Sequence, residues 1–318
     1  MQVLSNFQDQ FASLTLGGLS LGFIYVLIAL GYTMVYGVLR MINFANSEIF
    51  MWGTFATIVV TERVFHYTVN TEPATGFKLI EILLLCLLAC MATSAIVAMV
   101  VELLAYRRLR SRGVNRLATL ISAIGMSIAL SELMRIITDS RPANVPRVME
   151  KKVLFNFINA QVRLDNVLVI VAAAVIFVIL ERFIKLSRMG KAIRAVSMSE
   201  ETAKLMGVNL NRVITITFAI GGLATGAAAF FYTTVYEITK FDVGFTMGIA
   251  AFTAAVLGGI GNIRGAMAGG IALGLLETYA AAILGTQWKA LTVFIVLILV
   301  LLFRPTGLFG EAIQQARA

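Results

Sequence analysis

Nine apolar stretches dominate this chain, at residues 12–38, 48–64, 79–105, 117–138, 164–184, 212–236, 244–260, 265–285 and 288–303. Most reach the roughly 20 residues, within a range of about 17–25, that an α-helix needs to cross the hydrocarbon of a bilayer. Backbone N–H and C=O groups in lipid must bond within their own segment, so such stretches become helices. The fold expected is all-α: a polytopic membrane helix bundle of about 8–10 spans, forming one transmembrane domain over residues 1–318. The 244–260 stretch is short and Gly-rich at its end, so it is either a full span or a re-entrant pair of half-helices. Composition agrees, with 59% hydrophobic and only 14% charged residues. No soluble core of this length needs so much apolar surface.

The formal net charge of +9 lies in bands between the apolar stretches rather than on one patch. Anionic lipid and positive-inside orientation account for such bands without nucleic acid as a partner. Arg107, Arg108, Arg110, Arg112 and Arg116 form one band and Lys185–Arg212 the other. Two stretches separate them, so both can face the cytoplasm. The N-terminus is then outside, and Arg40, Arg264 and Arg304 are inside. Residues 139–163 fall outside despite Arg141, Arg147, Lys151, Lys152 and Arg163, and with Pro142 and Pro146 they read as an external lid or docking surface. The start, MQVLSNFQDQ, lacks a basic n-region, so the first apolar stretch is expected to be retained. Cys86 and Cys90, four apart in one stretch, are expected to be packing residues.

The Lys185–Arg212 interval, KLSRMGKAIRAVSMSEETAKLMGVNLNR, is polar but built to hold shape. Ser197 and Glu200 have capping-box spacing and Gly207 supplies a left-handed stop. The spacing predicts a short helix over 198–206. Leu205 and Met206 give it an apolar patch that its own loop cannot bury. A solvated linker needs neither caps nor such an edge, so the interval reads as a docking element.

Glycines at 258, 259 and 261 can break a helix and expose backbone groups to a pore or ligand. Gly265, Gly269, Gly270 and Gly274 repeat at intervals of four and lay a smooth groove for close helix packing. INFANSE, residues 42–48, places Asn43, Asn46, Ser47 and Glu48 between the first two stretches. These either cap the next helix or line an aqueous passage. Ionisable groups inside spans point to function by default, and Glu277 has no helical partner. Glu132 and Arg135 are placed to pair with each other. Glu102 lies near an interface. His66 has no second His or Cys beside it to form a metal site. LGGLSLG at 16–22 is echoed by IGGLATG at 220–226, which leaves an internal repeat and chance both open. Catalytic signatures such as H-E-x-x-H, G-x-S-x-G and the P-loop are missing. The chain reads as a transport subunit rather than an enzyme, with energy from another polypeptide or an ion gradient.

Four passages give the chain its kinship: IALGYTMVYGVLRMINFANSEIFM at 28–51, LISAIGMSIAL at 120–130, SRMGKAIRAVSMSEETAKLMGVNLNRVI at 187–214, and FTAAVLGGIGNIRGAMAGGIALGLLE at 252–277. With the Pro305–Leu308 close, they resemble the permease family of branched-chain amino-acid ABC importers, the LivH type. The resemblance implies an importer of the second structural type in a bacterial inner membrane. It pairs two permeases, as homologous chains or two copies, with two cytoplasmic ATPases and a periplasmic substrate-binding protein. ATP and Mg are expected in the ATPase and no cofactor in this chain. On that model Arg188, Gly190, Ala195, Glu200, Ala203, Met206, Gly207 and Asn209 match the segment that couples to the ATPase. NFANSE departs from the family's usual NFAHGE, and Arg108 stands where the family tends to have Pro. Substrate choice among branched-chain amino acids, urea, short amides and aromatic acids therefore stays open. A gradient-driven secondary transporter or channel is the other class, with Glu277 as its candidate ionisable site.

Overall fold

The computed structural model of the protein describes residues 2–68, 71–112, 114–157 and 160–310. The ends of the 1–318 domain and the side chain of Arg116 lie outside the described residues. The helix α1 runs Gln2–Leu39, α2 Asn46–Val59 with a π-helical extension Val60–Val64, and α3 Phe77–Val101. A π-helical stretch Glu102–Arg107 and α4 (Arg108–Ser111) follow, then α5 (Arg116–Ile137). The strands β1 (Ala143–Asn144), β2 (Val153–Phe157) and β3 (Ala160–Arg163) lead to α6 (Leu164–Leu186), α7 (Arg188–Met198), α8 (Glu200–Leu205) and α9 (Leu210–Tyr236). The chain ends with β4 (Ile238–Thr239), α10 (Val243–Gly258), α11 (Ile263–Leu284), a 3₁₀ turn Thr286–Trp288 and α12 (Lys289–Phe303).

Among the described residues seven helical segments are long and apolar enough to cross a membrane, so the protein is an all-α multi-pass bundle. The expected stretches 48–64 and 244–260 are not among these seven. The 14 α-helical residues of α2 run on through the π-helical turn to Val64, and α10 has 16 residues, about 24 Å of rise against a hydrocarbon core of about 30 Å. Neither needs to span, because both are sheathed by other helices, and irregular backbone at membrane depth is tolerated where protein buries it. The α1 chain ends at Arg40, whose φ of +53° lies in the left-handed region, and turns back inward. Asn46 at the start of α2 donates from Nδ2 to the Ile28 carbonyl at 3.4 Å. That point lies 11 residues before the end of α1, on the order of 16 Å below it at 1.5 Å per residue. The first turn of α10 meets the first turn of α2 there, since Gly244 and Gly248 both pack on Ser47.

Close backbone approach holds the bundle together, as expected where lipid tails are as apolar as leucine. A Cβ on Gly22 would lie 2.9 Å from Ile271 Cα and one on Gly270 would lie 2.7 Å from Val26 N, so α1 and α11 touch antiparallel along a glycine seam. The helices α9 and α3 do the same, with Gly222 at 2.7 Å from Ser94 O and Gly226 at 2.7 Å from Met91 Cα by the same construction. The two heptapeptides of the sequence echo thus perform one task each: LGGLSLG receives α11 and IGGLATG receives α3. Each echo helix is also followed by a buried helix and then a long one. The fully buried Tyr25, Phe50, Phe218 and Phe231 fill the centre. Large apolar residues such as Ile121, Ile136, Ile298 and Leu302 face outward from α5 and α12.

Side-chain bonds gather the basic bands on one face. Arg40 reaches the Ser197 carbonyl, Arg110 reaches Asn211, Arg264 pairs with Glu181, and Asn262 reaches the Phe309 carbonyl. The inner ends of α1, α3, α6, α10 and α12 therefore meet the starts of α9 and α11. By the positive-inside rule this face is cytoplasmic. On the opposite face β1 pairs antiparallel with β4 (Ala143 opposite Thr239) and β2 with β3, so part of 139–163 is tied to the end of α9 as structured backbone.

Candidate functional site

The polar elbow between α1 and α2 lies inside the bundle. Asn43, Asn46, Ser47 and Glu48 are all buried, Glu48 with 3% of its surface exposed. None of their side chains caps α2, whose N-cap is Ala45 without a side-chain bond. Asn43 accepts at Oδ1 from the Ala45 N–H at 3.2 Å and from the Tyr106 hydroxyl at 3.1 Å. Thr225 of α9 donates to Asn46 Oδ1 at 3.4 Å. Ser47 donates to the Phe44 carbonyl at 2.7 Å. The Glu48 Oε1 accepts from the Ser127 hydroxyl at 3.4 Å; the Ser47 hydroxyl is equally far, but its one proton goes to Phe44 O. The Glu48 Oε2 has no hydrogen-bond partner among the described residues, although a buried carboxylate left unpaired is costly. Tyr32 and Phe44 stand beside this point, both packed on Phe252, with ring centroids 6.0 and 6.3 Å apart.

The other polar residues expected in the pathway lie elsewhere. Gly258 ends α10, and Gly259 (φ +102°) and Gly261 (φ +98°) break the helix as their sequence implies. The freed carbonyls are not open to a ligand: Leu257 O accepts from Leu308 N at 2.8 Å and Gly258 O from Phe309 N at 3.0 Å. The segment after α12 closes over the Leu257 and Gly258 carbonyls in this conformation, while Gly261 stays exposed. Glu277 is buried, but it does have a partner. The Tyr25 hydroxyl of α1 donates to its Oε2 at 2.7 Å, a contact 252 residues apart that helical spacing could not reveal. Gly265 and Gly269 lie against Gly258 and Ala254 of α10, and Gly270 and Gly274 against Val26 and Gly22 of α1. Glu102 lies at the cytoplasmic end of the bundle as expected but is fully buried there, held by Arg110 at 3.3 Å and by the Thr215 hydroxyl at 3.0 Å. Cys86 and Cys90 are buried free thiols.

On the cytoplasmic face the 185–212 interval forms two helices, not the single one expected. The spacing of Ser197 and Glu200 does not produce a capping box. Ser197 donates back to Arg194 O at 2.7 Å inside α7, and Ser199, extended at φ −155° and ψ +116°, caps α8 by accepting from the Thr202 N–H. A first cap, Ser187 accepting from Gly190 N at 2.9 Å, starts α7 immediately after α6. A methyl on Gly190 would lie within 2.7 Å of Ile184 Cα, so glycine lets α7 fold back on α6. Gly207 (φ +79°) ends α8: its N–H bonds Lys204 O at 2.9 Å and Val208 N bonds Ala203 O at 3.0 Å, the paired bonds of a Schellman turn. Asn209 caps α9 by accepting from Arg212 N at 3.1 Å.

This two-helix knob is tied to the bundle from below and bare above. Ile193, Val196 and Ala203 are buried against it. Arg194 donates to the Ile184 and Lys185 carbonyls at 3.1 and 3.2 Å, which also suits the negative end of α6. Facing outward, Met198 and Leu205 are each 87% exposed and Met206 is 79% exposed. Arg188, Ala195 and Glu200 are exposed around them. Three large apolar side chains on a charged, capped surface form the kind of patch that marks a partner.

On the outer face Glu237 takes Arg147 at 3.0 Å and Lys151 at 2.8 Å. Partial burial pushes its carboxyl up, but the bonds from Arg147 and Lys151 outweigh that and hold it below the usual carboxylate range.

Comparison with known proteins places these features in a family. Residues 14–302 match the family described as the permease component of branched-chain amino acid transport systems. The chain is 40% identical over 305 residues to the high-affinity branched-chain amino acid transport system permease protein BraD of Pseudomonas aeruginosa, covering 92% of this chain and 94% of that protein. To the permease protein LivH of Salmonella typhimurium it is 36% identical over 301 residues, again 92% and 94%. A probable LivH of Methanocaldococcus jannaschii is 24% identical over 305 residues, covering 90% of this chain and 88% of that protein. No solved structure matches the chain significantly. A multi-pass bundle with a capped cytoplasmic knob, matched along nearly its whole length, belongs to the permease component family of branched-chain amino acid transport systems.

Proposed function

We propose that this chain is the inner-membrane permease subunit of an ATP-binding-cassette importer for branched-chain or closely related amino acids. Its partners are a second permease, two cytoplasmic ATPases and a periplasmic binding protein. ATP and Mg bind in the ATPases. The observation that carries this reading is the α7–α8 knob. It exposes Met198, Leu205 and Met206 at a site braced against α6 by Arg194 and against α1 by Arg40. An ATPase closing on nucleotide presses on that surface. A rigid knob passes the displacement to α1 and α6, and a ligand that binds one state more tightly shifts the population between states.

The motion arrives where the pathway residues are. Arg40 is three residues before Asn43, so a push on α7 acts at the mouth of the elbow that carries Asn46, Ser47 and Glu48. Uptake by the complex reconstituted in vesicles tests the proposal. Amino-acid uptake that requires ATP and the ATPases supports it. Full-rate uptake on an ion gradient without ATPase would contradict it and favour a secondary transporter.

A further inference from the structure

Two short helices begin at one place inside the bundle, and a carboxylate with a free oxygen sits between them. The helix α2 has 14 residues and α10 has 16. Each presents the positive end of its dipole there, although the Asn46, Glu48 and Val243 N–H groups are already bonded to the Asn43, Ala45 and Lys240 carbonyls. They converge closely: a Cβ on Gly244 would lie 2.8 Å from Glu48 Oε2 and 2.6 Å from Ser47 O, and one on Gly248 would lie 3.2 Å from Tyr32 Oη. Positive helix ends offset part of the cost of an anionic Glu48. They do not give its Oε2 a hydrogen-bond donor, and none is present among the described residues. With 3% of the residue exposed, bulk water does not supply one either. Tyr32 and Phe252, in edge contact at 6.0 Å, make an aromatic wall beside it.

We infer that Glu48 is the transient binding group for the α-ammonium of the transported amino acid, a role that rests on the importer reading above. An ammonium brings the missing donors and an opposite charge, in a setting where a charge-assisted hydrogen bond is stronger than in water. The same molecule's side chain is matched to the aromatic wall, and Asp242, the acid at the N-cap of α10, favours the ammonium over the carboxylate at this end of the site. Gly244 and Gly248 close on Ser47 in this conformation, so the site opens only when the start of α10 withdraws from the start of α2. A group that is buried when shut and bare when open holds cargo briefly, as a subunit fed by a binding protein requires.

The test uses the complete reconstituted complex. In the wild type, a hydrophobic carbodiimide should label Glu48, followed by mass spectrometry of the α2 peptide. Saturating leucine should slow that labelling at least threefold, and its α-keto analogue, which lacks the amine, should not. Labelling that leucine leaves unchanged, or that both compounds slow equally, overturns the inference. In Glu48→Gln, leucine uptake per ATP hydrolysed should fall at least tenfold; an unchanged ratio overturns it as well. If the Glu48→Gln complex does not assemble, the labelling of the wild type decides alone. The two readings fail differently. Absence of ATP-dependent uptake in the wild type contradicts the importer reading, whereas normal uptake with leucine-independent labelling contradicts only the role of Glu48.

Discussion

The guanidinium of Arg40 donates a hydrogen bond of 2.9 Å to the carbonyl oxygen of Ser197, joining the inner end of α1 to the last turn of α7. Residues 157 positions apart in sequence meet there, and α7 touches no other side chain of α1 by a hydrogen bond among the described residues. Arg40 is also strained, a non-glycine residue at φ +53°, and such strain persists only where the surroundings hold it.

Arg40→Ala removes the link and keeps the backbone path. One hydrogen bond from a charged group contributes about 1.5–3 kcal/mol at most, so assembly should survive. Stimulation of the ATPase by loaded binding protein should fall severalfold, measured as hydrolysis rate with and without that protein. Unchanged stimulation would mean that α1 takes its motion from another contact.

Gly190→Ala tests the fold-back of α7. Its methyl would lie within 2.7 Å of Ile184 Cα, which is backbone and cannot move aside cheaply. The knob should tilt away from α6, and ATPase stimulation should be lost while the chain still inserts. Fluorescence-detected size-exclusion profiles distinguish a displaced knob from a misfolded chain.

Gly265→Leu and Gly274→Leu probe the packing seams. A Cβ at 265 lies 2.9 Å from the Gly258 carbonyl carbon, and at 274 it lies 2.6 Å from Gly18 O. Overpacking typically costs about 1–3 kcal/mol, and more where backbone resists. Both variants should lower the melting temperature and the yield of assembled complex, measured by thermal stability in detergent. A stable complex with altered substrate choice would contradict a packing role.

Sequence fixes the lipid environment here because hydrophobic length is local and additive, and the Arg107–Arg116 and Lys185–Arg212 bands read correctly as one face. It also marks Gly207 and the glycine seams, since steric need is written in single residues. What it misses depends on distant partners or on competing local bonds. Tyr25 meets Glu277 across 252 residues, and Thr215 meets Glu102 across 113. The cap falls on Ser199 rather than Ser197 because α7, started by Ser187, runs on through 197 and leaves the next serine to begin α8. The polar elbow looked equally like a helix cap, and only burial and the contacts of Asn46 with α1 and α9 distinguish the two.

The outer ion-pair cluster predicts a pH effect. Glu237 is held below its usual value by Arg147 and Lys151 despite its partial burial. Its contribution is therefore complete above the unfolded carboxylate value and is lost as pH falls through the lower, folded value. Amide exchange in residues 143–151 should speed up on acidification across that window, and Glu237→Gln should show the faster exchange at neutral pH already. Exchange in this segment that ignores both acid and the substitution would remove the cluster from the account.

Cysteine placed at Leu205 tests the central claim most directly. The two native cysteines are buried, so a spin label or cross-linker at an 87% exposed position reports on that site alone. In the assembled transporter, Leu205→Cys should cross-link to the ATPase, and the distance between knobs of the two permeases should shorten when ATP binds. No ATPase adduct, together with a knob-to-knob distance indifferent to ATP, would contradict the account.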